Sequence, residues 1–302
     1  MELYTQRHGM RKPIETTYVI SVEAYSLLFD CCEKYYNNLA WKYPDYCPDG
    51  YGCCGMDFQK FSLAMKFEIP ELFRDYNSRI TKPTTQWNGD TDEYDQYSLL
   101  DLIEYIANNC KDFEIGGYHE FFKHHHIEFK ESSYVFRQFK DDINDIFTKT
   151  GLLYELTNDK TIERIVQNSP LTKEVEAYVL SVKEDETKKL LKEAIALHKS
   201  PYPNSPRDAA EKIWDAFERL KTYYTTLNKR QSAEKIVTDM SNGKQEFVDL
   251  VNTEFRALTD IGNQYRIRHH ETDKIDVTDN RHYDYFFNRC LSLIALAIQY
   301  LK

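Results

Sequence analysis

The sequence predicts a mainly α-helical protein in two parts: an α+β N-terminal domain holding a small β-hairpin, and a helical bundle at the C-terminus. Three observations lead there. Apolar residues recur at helical spacing through most of the chain. One stretch, Leu152–Leu156 and Thr161–Ile165 around Asn158-Asp159, has strand and turn character instead. Asn168-Ser169-Pro170 interrupts the pattern, and beyond it the chain reads almost wholly as helix. The length of 302 residues suits two domains, 1–170 and 171–302.

Taken in order, residues 1–20 read as extended or irregular, since Gly9, Pro13 and the β-branched Thr16-Thr17 disfavour a helix start. Ser21 is a candidate N-cap for a helix to Ala40, with Val22, Tyr25, Leu28, Phe29, Cys32 and Tyr36 on its apolar side. A Pro/Gly/Tyr loop runs from Tyr43 to Gly55, a helix from Asp57 to Phe67, and a polar loop from Asn77 to Asp95. Leu99, Leu102, Ile103 and Ile106 mark a strong helix ending near Cys110. After the break at Gly116-Gly117, helices are expected over Tyr118–Lys130 and Phe139–Thr148, the second stopped by Gly151. Past the boundary one helix is expected over Thr172–His198, before Pro201, Pro203 and Pro206 force a break. Further helices cover Asp208–Leu227, Ser232–Met240, Gln245–Tyr265 and Arg281–Leu301. Apolar residues wrap most of the last one, which suits the centre of a bundle or a dimer interface.

Composition narrows the function. The 23 Tyr and 17 Phe argue against disorder. The net charge of -10 is uneven: residues 171–302 hold 21 charges of each sign, leaving 18 basic against 28 acidic in residues 1–170. A broad nucleic-acid-binding face needs clustered positive charge, so only a local basic focus is compatible. No apolar run reaches the ~20 residues that span a bilayer, and the N-terminus lacks a signal-peptide pattern. Seven cysteines, an odd count, point to free thiols in a reducing compartment, so a cytoplasmic protein is expected. The phosphate-binding, dinucleotide, Ser-elbow and His-Glu-x-x-His motifs are absent from the sequence.

The chemistry-bearing segment is Arg266-Ile267-Arg268-His269-His270-Glu271. Metal-independent RNA cleavage needs a base to deprotonate a ribose 2′-OH, an acid for the leaving oxygen, and a cation beside the phosphoryl oxygens. Histidine titrates near neutrality, and the arginine fork binds two phosphate oxygens. Glu271 or Asp273 would orient an imidazole. The structural alternative is that these residues cap the preceding helix and answer its dipole. Arg281-His282 is a second candidate, with an exposed helix terminus as its plainer reading. No cofactor is expected. A zinc ion would draw on Cys31, Cys47, Cys53 and Cys54, although adjacent cysteines chelate one ion awkwardly. His124-His125-His126, placed on a helix, would point about 100° apart and not share a metal, so the run reads as a solvated helix end.

The segment Phe255–Lys274, which contains that motif, resembles the C-terminal region of AbiJ-like abortive-infection proteins. So do Arg281–Ile294 and the helix Ile213–Lys221. At the front, Gln6-Arg7-His8-Gly9-Met10 resembles the start of the N-terminal domain that accompanies such bundles, and Leu99–Cys110 with the hairpin at 152–165 resemble its later parts. The resemblance implies a sensor or regulatory N-terminal domain and a C-terminal HEPN bundle. It further implies a metal-independent endoribonuclease acting as an anti-phage toxin, a homodimer with a composite site, and a restraining partner or antitoxin. Arg266, Arg268, His269, His270 and Glu271 are the residues onto which catalysis carries. HEPN nucleases usually space an Arg and a His by four to six residues; here two and three residues separate Arg266 from His269 and His270. That departure leaves a second reading, a bundle that binds RNA or a partner without cutting.

Overall fold

Capping side chains open three of the four long helices of the N-terminal half. In the computed structural model, after a single turn, α1 (Tyr4–Arg7), Ser21 accepts from Ala24 N–H and opens α2 (Val22–Lys34). Asp57 accepts from Gln59 and Lys60 and opens α3 (Phe58–Glu68), and Asp95 accepts from Tyr97 and Ser98 and opens α4 (Gln96–Asn109). Each cap satisfies backbone donors that the first helical turn leaves without partners. α5 (Tyr134–Thr150) stops at Gly151, whose φ of 74° would strain any other residue and where a Cβ would sit 2.3 Å from the Glu15 carbonyl. The structure describes residues 3–10, 12–50, 52–87, 89–167, 169–268 and 273–301, and it divides into two units, Met1–Glu163 and Arg164–Lys302.

In the first unit, Tyr25, Leu28 and Phe29 of α2 pack with Leu99, Leu102, Ile103 and Ile106 of α4 and Phe139, Ile143 and Phe147 of α5. Beside this helical core stands a four-stranded antiparallel sheet of β1 (Pro44–Tyr46), β2 (Cys53–Met56), β3 (Asp112–His119) and β4 (His124–Lys130), in the order β1-β2-β4-β3. β5 (Tyr154–Leu156) and β6 (Ile162–Arg164) form the small hairpin that the sequence predicts.

Two expectations are corrected here. Tyr118–Lys130 is not a helix: it is the end of β3, a turn, and β4. Lys123 takes a positive φ of 60° and donates to the His119 carbonyl, closing the turn. From His124 on, His124, His126, Glu128 and Lys130 alternate with His125, Ile127 and Phe129, a period of two that belongs to a strand. Residues 43–55, read as a loop, contain the β1–β2 hairpin. β3 also carries an extra residue. Ile115 pairs with Ile127 and Tyr118 with His125, so one residue bulges at Gly116-Gly117.

The second unit is helical: α6 (Lys173–Val179), α7 (Asp185–Lys199), α8 (Ser205–Leu220), α9 (Lys229–Met240), α10 (Gln245–Gln264) and α11 (Asn280–Ile298). Ile195, Ile213, Phe217, Ile236, Leu258, Phe287, Leu291 and Ile294 meet in its core. The single helix expected over 172–198 is two. Glu184 caps α7 by accepting from the Thr187 N–H and hydroxyl, and Arg219 of α8 grips it at 2.7 Å. That guanidinium foremost holds the Glu184 carboxyl down at about 2. The protein is therefore mainly α with small antiparallel sheets, as its sequence predicts. Among the described residues no helix is long and apolar enough to cross a membrane.

Candidate functional site

α10 ends because Tyr265 turns to extended backbone, φ -97° and ψ 150°. The chain that follows is tied at its base. Tyr265 and Ile275 form a parallel bridge in which Arg266 N–H donates to the Ile275 carbonyl (2.8 Å) and Ile275 N–H to that of Gln264 (3.0 Å). Inside the closed loop Ile267 is 2% exposed and belongs to the core. Its neighbours Arg266 and Arg268 are partly exposed. Arg266 Nη1 pairs with Asp276 at 3.1 Å. Arg268 Nη2 pairs with Asp215 of α8 at 2.7 Å, and its guanidinium lies 4.6 Å above the Trp214 ring. The structure thus brings both predicted arginines to one tied loop and aims Arg268 from an aromatic platform. The predicted His269, His270 and Glu271 lie outside the described residues. Arg281 and His282 sit exposed at the start of α11, where Arg281 pairs with the N-cap Asp279.

A buried polar cluster in the same unit escapes the sequence reading. Arg164 donates from Nε to the His198 carbonyl (2.6 Å) and binds Asp284 of α11 through both terminal nitrogens. His198 is 2% exposed and stacks on Phe287 with ring centroids 3.8 Å apart. Its Nδ1 is 3.6 Å from Asp284 and its Nε2 3.4 Å from the Ser169 hydroxyl. Burial, then the Arg164 charge, push His198 down to about 3. Serine, histidine and aspartate in that order have the composition of a nucleophilic triad. The geometry denies the role, because Asp284 is committed to Arg164 and the imidazole is enclosed. Ser169 before α6, His198 on α7 and Asp284 on α11 lie too far apart in the chain to leave a local pattern for a sequence to show.

The first unit brings together a second set of reactive side chains. Cys47 follows β1, and the turn after it is closed by Cys47 N–H donating to the Gly52 carbonyl (3.1 Å). Cys54 lies on β2, and His124 and His126 lie two apart on β4, so their side chains share one face. Donor atoms of Cys47, Cys54, His124 and His126 all lie within 4.8 Å of one another, as do those of Cys47, Asp49, His119 and His126. Cys54 Sγ is 3.2 Å from His124 Nε2, and His119 Nδ1 is 3.3 Å from both Cys47 Sγ and Asp49 Oδ2. Burial and the neighbouring Cys47 push the Cys54 thiol up to about 11. Of the cysteines considered for zinc, Cys47 and Cys54 enter this group. Cys31 is buried in the helical core and Cys53 turns its thiol to the Gly55 carbonyl, since adjacent strand residues face opposite ways. The same alternation sends His125 to the other face, 3.2 Å from the Gly116 carbonyl. The signal that finds the two histidines is the His-x-His spacing on a strand, which a helical reading of 118–130 hides.

These features define a mainly helical protein of two units, one with a Cys/His cluster on a small sheet and one with an arginine-bearing loop on a helical bundle. The model of the family described as AbiJ N-terminal domain 4 matches residues 2–181, and the chain belongs to this AbiJ-like family. Membership suggests a role in abortive-infection defence. No curated protein matches the chain, and no solved structure does.

Proposed function

We propose that the chain is an abortive-infection effector in which residues 171–302 form a HEPN-type domain that cleaves RNA without a metal, restrained by residues 1–170. The observation that carries this reading is the tied loop between α10 and α11. The Tyr265–Ile275 bridge and the buried Ile267 hold the backbone that carries Arg266 and Arg268, which favours their positioning before binding. Arg268, held by Trp214 and Asp215, offsets charge on the phosphoryl oxygens. His269 and His270 take the 2′-OH proton and return one to the leaving oxygen, with Glu271 orienting an imidazole. The product is a 2′,3′-cyclic phosphate. Two copies meeting along the C-terminal unit complete a composite site, and a defence partner or antitoxin holds it silent in the cytoplasm.

The second reading is a non-catalytic module that binds RNA or a protein partner. It is favoured by the carboxylates already on both guanidiniums, Asp276 on Arg266 and Asp215 on Arg268, which a phosphate must displace or accommodate. The deciding experiment is RNA cleavage by the full chain in EDTA beside His269→Ala/His270→Ala and Arg268→Ala, with the product ends analysed and the mass in solution determined. Cyclic phosphate ends from a dimer, falling by about 10²–10⁴-fold in the double variant, are expected. Undiminished cleavage in that variant sinks the assigned site, and a chain that never cuts but captures a partner favours the second reading.

A further inference from the structure

We propose that Cys47, Cys54, His124 and His126 bind one zinc ion that fastens the β3–β4 hairpin to the β1–β2 hairpin. The donor set is one of the usual tetrahedral sets for structural zinc, two thiolates with two imidazoles. With Zn–S near 2.3 Å and Zn–N near 2.0–2.1 Å, the edges of such a tetrahedron are about 3.3–3.8 Å. The four donor atoms already lie within 4.8 Å of one another, with one Cys54–His124 edge at 3.2 Å. Closure thus needs side-chain adjustments of about 1 Å and no rebuilding of the strands. Two thiolates disfavour magnesium and calcium, which prefer oxygen ligands. Four protein ligands leave no open position, so the ion holds structure and does no chemistry.

The surroundings are shaped for it. Gly52, at φ +96°, lies against the His126 ring, and a Cβ there would be 2.8 Å from His126 Nδ1. His126 Nε2 is buried and meets no hydrogen-bond partner among the described residues. An imidazole nitrogen left dry in this way is costly unless an ion or donor answers it. Asp49 and His119 stand just outside the four ligands. His119 bridges the Asp49 carboxylate and the Cys47 sulfur, the kind of outer contact that orients a thiolate and spreads its charge.

The β3–β4 hairpin is thinly attached to its neighbours. Neither β3 nor β4 contains a single buried residue. Among the described residues, β4 meets β2 in register through one pair, Cys53 and Ile127. With one such pair and no buried side chain of its own, the β3–β4 hairpin gains from a cross-link, and a zinc ion between Cys47, Cys54 and β4 supplies one.

The test uses the full chain, expressed with added zinc and purified without chelator. Elemental analysis should find about one zinc per chain. Cobalt(II) loaded into the stripped protein should give the visible bands of a tetrahedral thiolate site. Cys54→Ser and His126→Ala should lose the metal, while Cys53→Ser and Cys31→Ala keep it. Should Cys54→Ser fail to fold, His124→Cys, a three-thiolate set, should fold and retain zinc. Hydrogen exchange after zinc removal should rise across residues 112–130 and stay unchanged in α2 and α4. A wild-type chain without zinc or cobalt bands, metal retained in both Cys54→Ser and His126→Ala, or exchange at 112–130 indifferent to zinc would each overturn the proposal.

Discussion

Gly262→Ala should destabilise the second unit, against the preference of the helix that contains it. Gly262 lies near the end of α10, where replacing glycine by alanine ordinarily stabilises a helix by about 0.8–1 kcal/mol. Here a Cβ would stand 1.9 Å from Trp214 Nε1, 2.1 Å from Cε2 and 2.6 Å from Cζ2. Ordinary carbon contacts begin near 3.5 Å, so the indole or the helix must shift by about 1.5 Å. The indole has little room, being 5% exposed in the core beneath Arg268. Overpacking of this kind costs about 1–3 kcal/mol, and with a 1.5 Å displacement the upper part of that range applies. The net loss after the propensity gain is about 1–2 kcal/mol, or roughly 3–8 °C in Tm. Trp214 reports the event itself, because Trp41 and Trp87 are exposed and it alone of the three tryptophans is buried. Urea and thermal unfolding followed by its fluorescence should show the loss together with an altered emission before unfolding. Adding Trp214→Leu should remove most of the penalty in a double-mutant cycle. A Gly262→Ala chain as stable as the parent, or more so, refutes the close packing of α8 on α10 and with it the platform under Arg268.

Two further outcomes follow from the buried cluster. Folding holds His198 neutral to about pH 3, whereas the unfolded chain protonates it below about 6.5, so its contribution is complete above 6.5 and is lost as pH falls between those values. At about 1.4 kcal/mol per unit the ceiling is roughly 4–5 kcal/mol. His198→Gln should therefore flatten the dependence of urea midpoint on pH from 8 to 4, and equal slopes in the two proteins would contradict the enclosed imidazole. Arg164→Ala leaves Asp284 uncompensated in the interior and should cost about 3–5 kcal/mol, most of it restored by Arg164→Met with Asp284→Leu. A loss in chemical denaturation no greater than the ~0.2–1 kcal/mol of an exposed pair would place Asp284 in water.

Local rules carried most of the helices. Ser21 and Gly151 mark the ends of α2 and α5 in the sequence as clearly as in the structure, and Leu99 to Ile106 announce α4. What local rules lack is a partner brought from afar. The break between α6 and α7 depends on Glu184, whose carboxylate is fixed by Arg219, 35 residues on. Arg266 and Arg268 are legible as a pair because they are neighbours, but the Asp215 and Trp214 that orient Arg268 come from another helix. Cys47 and Cys54 were legible as cysteines, yet their companions depend on reading 124–130 with a period of two. The polar alternation was present; the three consecutive histidines masked it, since each alone fits either face.

The bulge on β3 bears on unwanted pairing of strands between molecules. β3 lies at the margin of the sheet, so among the described residues one side of its backbone has no neighbouring strand. A margin of that kind can recruit a strand from another molecule and grow, more so with Ile115 and Tyr118 exposed along it. The extra residue at Gly116-Gly117 throws the spacing of donors and acceptors out of step halfway along, so an incoming straight strand can match one half of the margin or the other but not both. In a chain rich in tyrosine and phenylalanine, that misfit works against strand-by-strand growth. Deleting Gly117, with no apolar residue added anywhere, should therefore raise self-association in light scattering, and a deletion variant as well dispersed as the parent would refute the role of the bulge.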